Sequence, residues 1–188
     1  MNRELLALYQ ADRREHGQGL THGTPAYDAM RARDRQRRQR VAEIMAEGDV
    51  TAPEDVYHAA WIFNHGDTPE DAWQGHTFAK QAADLGFRPA RWLAAATYDR
   101  WRMYQGQPQR YGTQFAIDAT RHRLWDVDPE TTDAERAEWD VPPLAEQLRR
   151  AEELTQTHPP GPIGEDAPQW LKDALVRWAA DETPDDAT

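Results

Sequence analysis

The chain has 188 residues, enough for one domain with a sizeable core, and it contains no cysteine, which excludes disulfides and thiol chemistry. Its net charge is −11, and residues 126–188 hold 17 acidic but only five basic residues, a balance that repels phosphates and argues against nucleic acid. Since no apolar run has the length of a membrane span and the first residues show no signal pattern, we expect a cytoplasmic, soluble protein that does not bind membranes.

Apolar residues at helical spacing predict two helices at the start of the chain. The first covers residues 2–16, and after a glycine-rich loop the second covers residues 27–47 and ends at Gly48. The second helix carries a run of arginines, which we interpret as a solvated face paired with Asp28 and Asp34. The run consists of Arg31, Arg33, Arg35, Arg37, Arg38 and Arg40.

The next two helices begin alike, each with a proline at its first position and acidic residues in its first turn. The one that begins at Pro53 ends at His65-Gly66, and the one that begins at Pro69 ends near Leu85-Gly86. Small residues at positions 79, 82, 83, 94 and 95 predict close packing against the following helix, in a hairpin that resembles Sel1-like repeats. That following helix carries Asp99 and Arg100 and ends at Gly106 and Pro108.

Alternating residues from Phe115 to Ile117 and again around Leu124 predict a small β-hairpin with its turn near Asp118–Arg121. Helices over 133–139 and 142–156, a proline-rich linker at 158–162, a helix capped by Asp166 and a disordered tail from Thr183 complete the chain. We therefore predict a mainly α protein, either an antiparallel helical bundle or a short helical-repeat array. The helical domain covers residues 1–158, and residues 159–188 hold the linker, the last helix and the tail.

Polar side chains that could form a binding or catalytic site concentrate in two places, a helix end at residue 65 and the stretch from residue 98 to residue 114. Adjacent residues on a helix point about 100° apart, so Asp99 and Arg100 each need a partner from elsewhere. We hypothesise that His65 is an acid/base group, that Asp99 orients it or is a second base, and that Arg100 anchors an anion. The ligand would be bound by Asp55, His58, Gln109, Tyr111, Gly112, Thr113 and Gln114. The hypothesis requires His65 and the turn at 109–114 to face one cavity.

Other interpretations of the same residues stay open. His58 could be a hydrogen-bonded core histidine, and the turn at 109–114 could be purely structural. A metal site could be assembled from His58, His65, His76 and His122 with Asp55 or Asp99, but the usual short ligand spacings are missing, so we expect neither a metal nor a cofactor. The alternative function is a helical-repeat module that binds a peptide or protein without catalysis. The expected partner is a small molecule, with a homodimer or a protein partner left open.

The order of several motifs resembles an uncharacterised bacterial family of the domain-of-unknown-function type. The resemblance spans about residues 30–130 and depends on these motifs: Asp34-x-x-Arg37, Asp55 with Ala59-Ala60, His65-Gly66, Asp99-Arg100 and Gln109-x-x-Gly112-Thr113-Gln114. In that family a glutamine commonly precedes the His-Gly pair, whereas Asn64 stands here. The resemblance implies a polar site at these positions, and because the family has no established activity, it implies no reaction.

Overall fold

The computed structural model describes residues 1–48 and 50–182, and the tail predicted from Thr183 lies outside them. The described part of the chain is mainly helical with one two-stranded sheet, which confirms the predicted fold class. In chain order the elements are α1 (Arg3–His16), α2 (Pro25–Ala46), α3 (Pro53–Asn64), α4 (Pro69–Asp84), α5 (Ala90–Tyr104), β1 (Phe115–Ile117), β2 (His122–Leu124), α6 (Asp133–Glu138), α7 (Leu144–Thr157) and α8 (Gln169–Glu182). None of the described helices combines the length and the apolar character that crossing a membrane would need.

The contacts within the chain divide it into two compact units, Met1–Trp101 and Arg102–Thr188. This division falls inside α5, at a different point of the chain from the predicted boundary after residue 158. The first unit holds α1 to α4 and most of α5, and the second holds the hairpin and the last three helices. All the histidines and carboxylates discussed below as a candidate site belong to the first unit.

Local sequence signals explain where the helices of the first unit begin. The Asn2 side chain accepts hydrogen bonds from the backbone of Glu4 and Leu5 and so caps α1. Thr24 and Thr68 cap α2 and α4 in the same way, and a proline follows each of them. These caps satisfy backbone N–H groups that have no partner inside the helix, and proline suits the first position because its missing N–H costs nothing there.

Helices α1 and α3 lie side by side and run in the same direction. Tyr9 stacks on His58 with ring centroids 4.3 Å apart, and seven residues further along both helices His16 stacks on His65 at 3.8 Å. Tyr9 also packs against the hydrophobic core of the unit. This core is formed by Leu5, Val41, Ile44, Ala59, Ile62 and Phe63. The apolar packing therefore sets the register that brings polar residues of α1 next to the end of α3.

The arginines of α2 do not all lie on a solvated face. Arg37 and Arg38 are buried, with 7% and 6% of their surface exposed, whereas Arg33 and Arg35 are exposed. The interpretation of the run as a solvated face is therefore wrong for these two residues. They are buried because acidic partners surround them: Asp34 and Glu15 bind Arg37, and Asp67 and Asp71 bind Arg38. The predicted pairing with Asp34 is confirmed.

The second unit is organised around the predicted hairpin. Its strands pair antiparallel with Phe115 opposite Leu124 and Ile117 opposite His122. Trp125 follows directly, is fully buried, and donates a 2.8 Å hydrogen bond from Nε1 to the Gln107 carbonyl. Around it pack Met103, Leu171, Ala174 and Trp178, so α8 is part of this core.

Asp118 closes the hairpin turn and should make stability depend on pH. Burial favours a raised pKa, but hydrogen bonds from Thr120 and Arg121 outweigh it and lower the pKa of Asp118 to about 2. A carboxylate with a depressed pKa stabilises the fold above its unfolded pKa and loses this effect as the pH falls through its folded pKa. We expect Asp118→Asn to lower the free energy of unfolding by about 1–2 kcal/mol at pH 7. Denaturant titrations should show the difference from wild type shrinking between about pH 4 and pH 2; a difference that is constant with pH would contradict this.

Candidate functional site

The end of α3 presents a histidine to two neighbouring helices. His65 is the C-terminal cap of α3, with φ −91° and ψ 18°, so the helix ends at this residue. Its Nδ1 atom lies 2.8 Å from Oδ1 of Asp12 in α1. The Asp12 side chain is fully buried, while 16% of the His65 side chain is exposed. A buried carboxylate therefore holds one ring nitrogen of an imidazole that still reaches solvent.

His16 completes a compact group of three side chains. It lies four residues after Asp12, on the same face of α1, and its ring stacks on that of His65 with an interplanar angle of 17°. His16 Nε2 lies 3.8 Å from Asp12 Oδ2. One donor atom from each of Asp12, His16 and His65 lies within 4.8 Å of the other two. We call these three residues the His–Asp cluster.

A layer of charged residues from α2 supports the His–Asp cluster. His16 Nε2 lies 3.2 Å from Asp34 Oδ2, and Asp34 also accepts hydrogen bonds from Arg37 at 2.6 Å and Arg31 at 2.8 Å. Arg37 donates a second bond, 2.7 Å long, to Glu15. Asp34 thus has two arginine partners besides His16, and these three contacts fix the position of its carboxylate.

The charge of each group follows from its surroundings. Burial lowers the pKa of His65 below its ordinary value; the hydrogen bond that His65 makes to Asp12 opposes this, and the nearby charges of His16 and Arg100 add to the lowering. Burial alone would raise the pKa of Asp34, but the bonds to His16 and Arg37 and the charge of Arg31 hold it well below its usual range. At neutral pH the His65 ring is therefore neutral, and the Asp34 carboxylate, which contacts His16, is ionised.

One oxygen of the cluster has no hydrogen bond to any of the described residues. Asp12 Oδ2 is buried and accepts no hydrogen bond from any residue that the structure describes. The nearest donors are His16 Nε2 at 3.8 Å and Arg37 Nε at 3.9 Å, and both distances are too long for a hydrogen bond. Leaving a buried charged oxygen unsatisfied costs roughly 1–3 kcal/mol or more, so such an atom calls for an explanation.

Of the residues predicted for catalysis, Arg100 lies beside His65, and Asp99 is fully buried in α5. Arg100 donates a 2.7 Å hydrogen bond to the carbonyl of Asn64, the residue before His65. The sequence predicts Asp99 as the orienting carboxylate, but the structure shows that Asp12 makes the bond to His65 Nδ1. An orienting role for Asp99 is therefore not needed to explain the position of the His65 ring.

Asp55 and His58, predicted to bind a ligand, lie earlier in α3. Asp55 Oδ2 accepts a 2.6 Å hydrogen bond from the backbone N–H of Asn2, and His58 is buried against Tyr9, where burial lowers its pKa. His76, from the alternative metal set, places its Nδ1 atom 2.9 Å from the carbonyl of Ala94. None of these three belongs to the His–Asp cluster.

The predicted turn from Gln109 to Gln114 belongs to the second unit. The Gln109 side chain donates to the carbonyls of Gln114 and Trp125 and accepts from the Gln114 backbone N–H, so its amide organises the turn. Gly112 takes a positive φ of 86°, which favours glycine. Tyr111 and Thr113 are buried as well. That these residues face one cavity with His65 stays a prediction.

The sequence contained a signal for the cluster that we did not use. Asp12 and His16 are spaced i, i+4 on one helix, a spacing that places two side chains on the same face. This carboxylate–histidine pair differs from the metal motifs named above, which are paired histidines and His-Glu-x-x-His.

Comparisons of this chain with family models, with curated proteins and with solved structures give no match.

Proposed function

We propose that this protein is a small-molecule enzyme or binder whose acid/base chemistry is carried by His65. The observation that carries the proposal is the 2.8 Å contact between His65 Nδ1 and the buried Asp12 carboxylate. A carboxylate in this position accepts a hydrogen bond from Nδ1–H and so selects the tautomer in which Nε2 has a free lone pair. An imidazole fixed in this way can take a proton from a bound molecule at Nε2 and return it later.

Arg100 gives the proposed site a preference for anions. Its guanidinium is held at the end of α3 by the carbonyl of Asn64, one residue from His65, and its charge acts on the His65 ring. A guanidinium pairs well with carboxylate or phosphate groups, because its N–H donors match their geometry. The proposed ligands are therefore small carboxylates or phosphates with a proton that His65 can move.

The proposal can be tested by thermal unfolding with a panel of small anions, including acetate, dicarboxylates, amino acids and inorganic phosphate. A ligand at ten times its dissociation constant stabilises the fold by about 1.4 kcal/mol, or roughly 3–5 °C at this chain length. We expect at least one member of the panel to give such a shift, and we expect His65→Gln to abolish it. His76→Gln is the matched control, because it removes another partly buried histidine of the same unit and should keep the shift.

Two outcomes would count against acid/base function. If no anion of the panel stabilises the wild-type chain, or if His65→Gln responds as the wild type does, His65 is a structural cap of α3. The remaining candidate is then the interaction module without catalysis, for which the helices of the first unit would be a scaffold.

A further inference from the structure

The His–Asp cluster also has the composition of a metal site. Two imidazoles and one carboxylate are donors that Zn²⁺, Fe²⁺, Mn²⁺ and Co²⁺ accept, and three protein ligands leave further coordination positions open. The donors come from two helices, since Asp12 and His16 belong to α1 and His65 ends α3. We propose that Asp12, His16 and His65 bind one divalent transition-metal ion, of which Zn²⁺ is the first to test.

The distances between the donor atoms fit one ion. Ligand atoms about 2 Å from a tetrahedral metal lie about 3.3 Å from one another. In the cluster His65 Nδ1 is 2.8 Å from one Asp12 oxygen, and His16 Nε2 is 3.8 Å from the other. One donor atom from each of the three residues lies within 4.8 Å of the other two, so the donors are close enough for one ion once a histidine ring has turned.

The Asp12 oxygen that accepts no hydrogen bond is the independent observation that points to a ligand. Asp12 is fully buried, and its Oδ2 atom has no hydrogen-bond partner among the residues described. Solvent does not reach this atom, and the two nearest protein donors are too far away to satisfy it. A cation bound between the carboxylate and the imidazoles would satisfy it, because a buried charge is stable when it is paired or coordinates a metal.

The surrounding charges are compatible with a cation. Arg37 places its Nε atom 3.9 Å from Asp12 Oδ2, and its other contacts are with carboxylates, since one of its terminal nitrogens binds both Asp34 and Glu15. These two carboxylates offset the guanidinium charge that a bound cation would face. When His16 Nε2 turns from Asp34 to the ion, Asp34 keeps its bonds to Arg31 and Arg37 and becomes a support for the site. Such carboxylates around the ligands are common at metal sites in proteins.

Metal binding should separate the two histidine rings. In the structure the rings are nearly parallel and 3.8 Å apart. An ion shared by both must lie near the plane of each ring, which parallel rings cannot satisfy, so one ring has to tilt. Trp61 contacts the edge of His65 with centroids 5.7 Å apart, and its fluorescence should report this movement. The inference uses the site of the proposed function but does not require His65 to act as a base.

The experiment is calorimetric titration of the chelator-treated full-length chain with ZnCl₂, followed by CoCl₂ for its visible absorption spectrum. We expect one Zn²⁺ per chain with a dissociation constant of about 1 μM or lower, and a Mg²⁺ titration without heat. Because losing a supporting residue around a metal typically costs 10–100-fold in affinity, losing a direct ligand in His16→Gln or Asp12→Asn should cost at least about 100-fold. His76→Gln should bind as the wild type does.

The inference is overturned if the wild type binds no Zn²⁺ at one-to-one stoichiometry, or if His16→Gln binds as tightly as the wild type. Circular dichroism of each variant checks folding, and His16→Gln decides the matter if Asp12→Asn does not fold, since His16 is at the edge of the cluster with 23% of its side chain exposed. Failure of zinc binding with a His65-dependent anion shift leaves the proposed function standing. Zinc binding without any anion shift leaves the metal site and removes the acid/base proposal.

Discussion

Replacing Arg37 with methionine is expected to lower the free energy of unfolding by about 3 kcal/mol. Arg37 is buried, and one of its nitrogens binds both Asp34, at 2.6 Å, and Glu15, at 2.7 Å. Methionine fills a similar volume but leaves the buried Asp34 carboxylate with less compensation. Removing one member of a buried ion pair is costly because the desolvated charge that remains has lost its partner.

Arg40 is a matched control for this experiment. It lies three residues further along α2 and also binds two carboxylates, Glu4 and Glu43, but 41% of the Arg40 side chain and 50% of each glutamate side chain are exposed. Exposed ion pairs contribute little, since water and salt screen them. Chemical denaturation of Arg37→Met and Arg40→Met should therefore show a much larger loss for Arg37. Equal losses would mean that burial does not increase the contribution of the Arg37 ion pairs to the free energy of unfolding.

The elements of the fold were predictable because their signals are local. A proline after a capping residue marks the start of a helix wherever the rest of the chain lies, as Thr68 and Pro69 show for α4. The hairpin is equally local: Asp118 accepts bonds from Thr120 and Arg121 within the predicted turn. Such features depend on neighbours in sequence, and these neighbours can be read directly.

The cluster was not predictable in the same way. His65 could be singled out from its position at a helix end, but its partner Asp12 is 53 residues away. Only the register between α1 and α3 brings them together, and this register depends on how apolar side chains pack in the core. The burial of Arg38 is likewise a tertiary effect, since its partners Asp67 and Asp71 belong to a later part of the chain.

Replacing Gly66 with alanine is expected to cost about 3 kcal/mol of stability, at the upper end of the usual cost of overpacking. A Cβ atom at Gly66 would lie 2.1 Å from Cβ of Asp71, far inside the contact distance. Asp71 cannot move away easily, because it belongs to the first turn of α4, accepts a hydrogen bond from Asp67 N–H and pairs with Arg38. The backbone at residues 65 and 66 must shift instead.

Gly161→Ala provides the control for the loss of a glycine, because an added Cβ there meets no atom within 4 Å, and we expect its effect to stay within about 0.5 kcal/mol.

A second variant tests whether the clash with Asp71 causes the loss of stability. In a Gly66→Ala background, Asp71→Gly removes the atom that the new methyl group strikes, so the double variant should be more stable than the sum of the two single losses predicts. Strict additivity in urea denaturation would show that the clash with Asp71 is not the reason.

The same substitution links the fold to the candidate site. Since Gly66 directly follows His65, a backbone shift at residue 66 moves the imidazole away from Asp12 and lengthens their 2.8 Å contact. Gly66→Ala should therefore weaken zinc binding as well as stability, and Asp71→Gly should restore part of both in the double variant. Gly161→Ala should change neither. If the double variant recovers stability but not zinc affinity, the clash with Asp71 affects the packing of α4 and not the position of His65.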